Sequence, residues 1–323
     1  MTTKNEIKIQ VVIGKQYNPY LNLAIESNLL DNYLENTVTL FLWKNQKTVV
    51  IGTNQNPYSE CELESLLDEG GHLARRRTGG GAVFHDLGNL NFSFIADKKI
   101  YDVKKQMLVI QKALSYFNIE TEVSGRNDIT YQGRKFSGNA FAFTKNQGLH
   151  HGTLLIKTDS ELLQKYLKVK PAKLHKHGVK SVTSRVINLS EIADITSDNI
   201  IPHLIKAFEE IYQNAAVTID FDQLYTEEAV VLSKKISSEE YLYGKWKEFK
   251  TKKSATFDWG SVDLDVEINE EKGIIENVNI ASDSLEPFAI ESALNLLKGA
   301  DIKEKPHNST GNVIVNDILN MIY

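Results

Sequence analysis

Ile7, Ile9, Val11 and Ile13 alternate with less apolar positions, the period of a half-buried strand. Asn18-Pro19 then supplies a cap and a first-turn proline, and Tyr20, Leu21, Leu23, Ala24 and Ile25 form the apolar side of the helix they open. Two short runs, Val38–Trp43 and Thr48–Ile51, follow at hairpin spacing. Ser59-Glu60-Cys61-Glu62 has the form of a capping box ahead of Leu63, Leu66 and Leu67, which places Cys61 in the first turn of a helix. From Ala82 to Ile156 the pattern is mostly strand-like, with Leu90, Phe92 and Phe94 alternating and one helical interruption near Val103–Phe117. Strands in runs, with helices between the runs, predict an α+β domain with a largely antiparallel sheet.

The pattern breaks at Lys245–Ser254, where five lysines accompany few large apolar residues besides Trp246 and Phe249. It restarts with Val262, Leu264, Val266 and Ile268 in alternation, a second strand over Gly273–Ile280, and helices over Pro287–Lys298 and Val313–Ile322. The expected division is a large domain over 1–244, a solvated link over 245–254 and a small ββα-type domain over 255–323.

Composition narrows the function. With 323 residues, 41% apolar and 24% charged, the chain has the make-up of a globular protein with room for a large domain and a small one. Its longest apolar stretches fall far short of the ~18–20 residues that span a bilayer, and Met1–Glu6 lacks the apolar core of a signal peptide. The single cysteine, Cys61, excludes an internal disulfide or a multi-cysteine zinc site, so a reducing, cytoplasmic compartment is expected. A net charge of −5 argues against bulk binding to a nucleic-acid backbone, though not against a local anion site.

One such site stands out. In Arg75-Arg76-Arg77-Thr78-Gly79-Gly80-Gly81-Ala82-Val83-Phe84-His85-Asp86, fixed positive charge adjoins glycines that let the backbone approach an anion. The run is neither a P-loop nor a dinucleotide fingerprint, and a hairpin turn with exposed arginines is the plain alternative. Further on come Gly125-Arg126-Asn127-Asp128, Lys135-Phe136-Ser137-Gly138-Asn139-Ala140 and His150-His151-Gly152-Thr153. Asp128 suits magnesium coordination or proton acceptance. Lys135 is either chemical or a lysine that snorkels at a sheet edge. Adjacent histidines in a strand point to opposite faces, so His150 and His151 suit hydrogen bonding better than chelation.

Taken in order, these segments resemble the lipoate–protein ligase A family, together with Lys176–Leu189, which looks like that family's second mobile loop, and Phe257-Asp258-Trp259-Gly260, which resembles the start of its accessory domain. The resemblance covers nearly the whole chain. It implies a biotin/lipoate ligase-like α+β fold, with mostly antiparallel or mixed sheet flanked by helices and a small α+β accessory domain that packs over the active site. It also implies ATP-dependent activation of lipoate to lipoyl-adenylate, with Mg2+, and transfer to a lysine of an acceptor. The implied acceptors are lipoyl domains of 2-oxoacid dehydrogenase subunits or a glycine-cleavage H-type protein.

By the same resemblance, Lys135 is the cation between the lipoate carboxyl and the α-phosphate, and Arg76 with Gly79, Gly80, Gly81, Ala82, Val83 and Phe84 holds the nucleotide. Thr78, His85, His151 and Gly152 join Lys135 around lipoate; Asp128, with Asn127, sits near the metal or takes the acceptor lysine's proton. Lys180, Ser181 and Arg185 are candidates for contacts to the adenylate. Val83, Phe84, Phe92 and Phe141 line a slot for the aliphatic tail or pack in the core. The chain departs from the family at Ala142, where bacterial members carry an arginine. Two rival readings are a cysteine-dependent octanoyl or lipoyl transferase, for which Cys61 is the one available thiol, and a lipoate-binding protein without turnover.

Overall fold

The structure, a computed structural model, describes residues 6–125, 127–168, 186–243, 251–269, 272–308 and 311–323. Lys180, Ser181 and Arg185 lie outside the described residues, as does Arg126. Along the chain the strands are β1 (Lys8–Ile13), β2 (Thr37–Trp43), β3 (Thr48–Ile51), β4 (His72–Arg75), β5 (Val83–His85), β6 (Asn89–Asp97) and β7 (Glu122–Ser124). They continue with β8 (Asp128–Tyr131), β9 (Arg134–Phe143), β10 (Gln147–Leu155), β11 (Val217–Ile219), β12 (Thr251–Phe257), β13 (Gly260–Asn269) and β14 (Ile274–Ser282).

Eight strands form a mixed sheet in the order β11-β1-β2-β6-β10-β9-β8-β7, antiparallel except where β1 pairs with β11 and β2. Both of its faces are covered. Val11, Leu40, Phe92 and Phe94 pack with Met107, Ile110, Leu204 and Phe208 of the helices Val103–Ser115 and Ser197–Tyr212. Val12, Phe41 and Trp43 pack on the opposite side with Leu23 and Ile25 of the helix Pro19–Asp31 and Ala229 of the helix Glu227–Ile236. Double coverage explains why β2 and β6 are buried at every position. It also corrects the half-buried reading of β1: Val12 is buried, whereas Ile13, at the strand's end, is exposed.

Two further local expectations are overturned. Val38–Trp43 and Thr48–Ile51 make no hairpin, because β3 leaves the large sheet and sits between β4 and β5 in a separate three-stranded sheet. Cys61 is not in a helix turn. The helix Pro57–Glu60 is capped by Asn56 and ends before it; Cys61 is extended, bridges to Leu167, and is followed by the helix Leu63–Asp68, whose cap residue, Glu62, makes no side-chain capping bond. Asn18 behaves as its sequence suggests, its side chain accepting from the amides of Tyr20 and Leu21.

The C-terminal sheet has the order β12-β13-β14, one strand more than the alternation shows, since β12 begins at Thr251 inside the lysine-rich stretch. Val262, Leu264, Val266, Ile275 and Ile280 pack with Ile290, Ala293 and Leu297 of the helix Pro287–Leu297 and with Val315 and Ile318 of the helix Val313–Leu319. This sheet and its helices have an apolar core of their own, and they meet the rest of the chain at the glycine loop and at Asn54, just after β3.

Candidate active site

The loop 76–82 joins β4 to β5, so the two strands flanking β3 fix both of its ends. Arg76, almost wholly buried, shapes it from inside. Its Nε donates to Thr78 Oγ1 at 2.9 Å, Nη1 to the Val50 carbonyl at 3.1 Å, and Nη2 to the carbonyls of Gly79 and Gly81 at 2.8 Å each. Burial lowers its pKa to about 10, with Glu26 acting in the opposite direction, so it remains a cation at neutral pH. Arg75 is spent likewise, on the carbonyls of Gly52, Thr53, Gln55, Tyr241 and Leu242. Arg77 is the outward one, paired with Asp31 at 2.6 Å.

The C-terminal part closes on this loop through the backbone. Gly80 N–H donates to the Ser284 carbonyl at 2.8 Å, and Ser282 N–H donates to the Asn54 carbonyl at 2.9 Å. A Cβ at Gly79 would lie 1.9 Å from the Ser284 carbonyl oxygen, so glycine is required there for the two parts to meet.

Between them lies a cavity of about 620 Å³. Leu23, Trp43, Val50 and Val83 give it an apolar lining; Arg76, Gly80, Gly81, Ala82, His85, Asn127, Asp128, Lys135, His151 and Gly152 also line it. Thr256, Phe257, Asp258, Gly260, Ser261, Asp283 and Leu285 complete the wall from the C-terminal part. Most of the sequence candidates are therefore brought together. Thr78, Gly79 and Phe84 are not on the wall. Thr78 is buried behind it, Gly79 faces Ser284, and Phe84 packs on Tyr166 with ring centroids 5.7 Å apart. Of the four residues proposed for the tail slot only Val83 reaches the cavity; Phe92 and Phe141 belong to the core around β6 and β9.

Among the described residues, Lys135 is the accessible cation of this wall. The β8–β9 ladder skips Phe136, an extra residue that is buried in the core while Lys135 stays in register with Thr130 and lines the cavity. Lys135 Nζ lies 2.7 Å from Asp128 Oδ1, both side chains about one-third exposed (36% and 35%). A Cβ on Gly138 would sit 2.8 Å from that ammonium, so the Ser-Gly pair keeps its place open.

The paired histidines point to opposite faces, as adjacent strand residues must. His151 Nδ1 meets Glu26 Oε1 at 2.9 Å and its Nε2 meets Thr78 Oγ1 at 2.8 Å. With Nδ1–H donated to the Glu26 carboxylate, Nε2 accepts the Thr78 hydroxyl proton, and Thr78 Oγ1 in turn receives Arg76 Nε–H. Ser93 also donates to Glu26, at 2.5 Å, and receives Trp43 Nε1–H at 2.9 Å. Two donor chains, one from Arg76 through Thr78 and His151 and one from Trp43 through Ser93, thus converge on the Glu26 carboxylate. His85, with Asn45 at its Nδ1, is held neutral: burial first, then Arg76 and His151, lowers its pKa to about 3.

Sequence reasoning missed Glu26 and the part played by Asn139, and it named no individual residue of the C-terminal part for the wall. A carboxylate within the apolar side of the first helix was a visible signal for Glu26; nothing in the spacing marks Asp258 or Asp283 as facing a cavity built largely by residues 23–153. Cys61 is fully buried among Val49, Leu66, Phe84 and Tyr166, away from the cavity wall, and burial pushes its thiol up to about 12. Ala142 is buried against Leu30, Ile95 and Leu149.

Residues 18–209 match the family described as lipoyl protein ligase A/B catalytic domain, and residues 247–310 match bacterial lipoate protein ligase C-terminus. A protein of Bdellovibrio bacteriovorus named lipoate-protein ligase A is 41% identical over 303 residues, 90% of this chain and 88% of its own. The crystal structure of P. falciparum LipL1 in complex with lipoate is 31% identical and superposes with a TM-score of 0.80 over 97% of this chain and 98% of that one. A lipoate-protein ligase A bound with ATP is 25% identical, with a TM-score of 0.62 over 73% of this chain and 98% of that one.

Proposed function

The chain belongs to the lipoate–protein ligase A family, and on that premise we propose that it activates lipoate with ATP and passes the lipoyl group to a lysine of an acceptor lipoyl domain. The observation that carries this reading is the Lys135 ammonium, about one-third exposed in a cavity whose wall also holds an apolar lining and a glycine loop. Attack of a carboxylate on the α-phosphorus brings two anions together, and a fixed cation between them offsets their repulsion. Lys135 supplies that charge. Gly80, Gly81 and Ala82 carry the backbone that approaches the nucleotide, in a loop whose shape is set by Arg76 from behind. Leu23, Trp43, Val50 and Val83 suit the aliphatic tail.

In the second step Asp128, 2.7 Å from Lys135, is placed to accept the proton of the acceptor lysine as its amine attacks the lipoyl carbonyl. Mg2+ bound with a nucleotide takes one or two carboxylates and fills its other positions with phosphate oxygens and water. Asp128 and Asn127, side by side on the cavity wall, would supply the protein oxygens for such a site. The cysteine-dependent alternative places its nucleophile in the core, with a thiol pKa of about 12. The deciding experiment is pyrophosphate release from ATP with and without lipoate, followed by transfer to a panel of purified lipoyl domains and an H-type protein. Lipoate-dependent release followed by acceptor lipoylation is expected; binding of lipoate without release would leave a non-catalytic binder.

A further inference from the structure

His150 is absent from every role assigned so far, yet its contacts lead to the reactive pair. On β10 it faces away from the cavity, fully buried, with its ring among Phe92, Phe94 and Phe141 at centroid distances of 5.5, 5.9 and 4.9 Å. Both nitrogens are engaged: Nδ1 with the Gln106 carboxamide at 3.0 Å, and Nε2 with Asn139 Oδ1 at 2.9 Å. Burial among aromatic rings, with His151 beside it, lowers its pKa to about 3, so the imidazole is neutral and has one hydrogen to give.

Where that hydrogen sits follows from the partners. The Asn139 amide nitrogen donates to the Asn127 carbonyl at 2.9 Å, so Oδ1 is the end that faces His150, and Nε2 carries the hydrogen. Nδ1 is then an acceptor and must receive an N–H from Gln106. Turning that carboxamide through 180° provides it, and removes an orphan, because the Gln106 nitrogen otherwise lies buried without a partner. The direction of the chain is therefore Gln106 to His150, His150 to Asn139, Asn139 to Asn127.

The last link bears on the chemistry. The Asn127 carbonyl receives two donors from Asn139, its backbone N–H and its side chain, both at 2.9 Å, and the Asn127 side chain donates back to the Asn139 carbonyl. Asn127 immediately precedes Asp128, whose carboxylate holds Lys135. Without a hydrogen at His150 Nε2, the Asn139 carboxamide has no reason to keep its nitrogen on Asn127, and the turn that leads into Asp128 loses one of its three hydrogen bonds to Asn139.

We propose that His150 is a positioning residue for this reaction, acting through Asn139 to fix the Asn127–Asp128 turn and hence the Asp128–Lys135 pair. The inference rests on the ligase reading above. The test compares His150→Phe, His150→Gln and Gln106→Leu with wild type in the lipoate-dependent pyrophosphate assay, alongside thermal melting. Phe fills the aromatic slot without a hydrogen bond, whereas Gln restores an N–H toward Asn139.

Misplacing a reacting group by a fraction of an ångström costs rate more than binding, so His150→Phe should lose ~30-fold in kcat with KM for ATP and lipoate within ~3-fold of wild type. His150→Gln should recover most of that loss, and Gln106→Leu, one link further away, should lose ~3-fold in kcat. A folded His150→Phe protein with wild-type kcat, or a Gln variant as slow as Phe, would overturn the proposal. If the Phe variant does not fold, Gln106→Leu decides, and an unchanged kcat there is the contrary result. Wild type in the same assay separates the two readings: no lipoate-dependent release from wild type would defeat the ligase assignment itself.

Discussion

The two cationic stretches of the site make opposite use of the same charge. At the glycine loop, Arg75 and Arg76 are buried and their donors are occupied by backbone carbonyls, so the charge next to the glycines organises the loop. In β9, Lys135 is one-third exposed, paired with one carboxylate, and projects beside a glycine that makes room for it. Proximity of arginine to a glycine run therefore says little about which cation meets the substrate; the arrangement of its donors does.

That contrast can be broken in a definite order. Lys135→Ala should cost roughly 10²–10³ in lipoate-dependent pyrophosphate release, the scale of a fixed charge lost from a transition state. Its melting temperature should barely move, because an ion pair with both side chains one-third exposed contributes at most about 1 kcal/mol. Wild-type rates would remove Lys135 from the chemistry. Arg76→Met should act on the fold instead. It leaves Thr78 and three carbonyls without their charged donor, costing about 3 kcal/mol, read as a melting temperature lower by roughly 6–12 °C. An unshifted melting curve with lost activity would make Arg76 a substrate contact and erase the contrast.

The rigid side of the site should also show in its pH response. His85 and His150 are held neutral, at about 3 against an ordinary 6.5. Below pH 6.5 the unfolded chain takes up a proton at each position that the folded chain refuses, so stability falls with pH, by about 1.4 kcal/mol per histidine per pH unit. Urea midpoints at pH 7.5 and 5.5 would measure this, and equal midpoints would contradict it. The smallest effect is expected for Cys61→Ser. With its thiol in the core, activity should stay within about three-fold of wild type after allowance for a modest packing loss. Abolished transfer by a folded serine variant would revive the cysteine mechanism.

Much of the catalytic wall was legible because its residues lie in short segments whose order and composition are unusual: the glycine loop, Asn127-Asp128, Lys135, Gly138 and His151-Gly152. The helix cap at Asn18 and the strands after Val262 were legible from local grammar. What could not be read was non-local. Thr48–Ile51 looks like half of a hairpin, but its partners are β4 and β5, because Val49 and Ile51 pack with Leu73 and Phe84. Cys61 sits in a sequence that mimics a capping box, while the helix is started two residues before Ser59 by Asn56-Pro57. The roles of Arg76 and Lys135 could not be told apart by composition, since both are cations beside glycine; only the burial of one and the exposure of the other separates them.

The C-terminal part meets the glycine loop and the turn after β3 through main-chain atoms, Gly80 to Ser284 and Ser282 to Asn54. The side chains of the same segment hold that backbone in shape: Ser282 Oγ receives the Ser284 amide, Asp283 Oδ1 the Ser261 amide and Ser284 Oγ the Glu286 amide. What the joint does not tolerate is a change in the backbone itself: proline at 282 removes a donor, a one-residue insertion moves the Ser284 carbonyl off register, and any side chain at Gly79 collides with it. Variation among natural relatives should accordingly be strict in segment length across 282–285 and confined at 282–284 to short polar side chains that can still receive those amides.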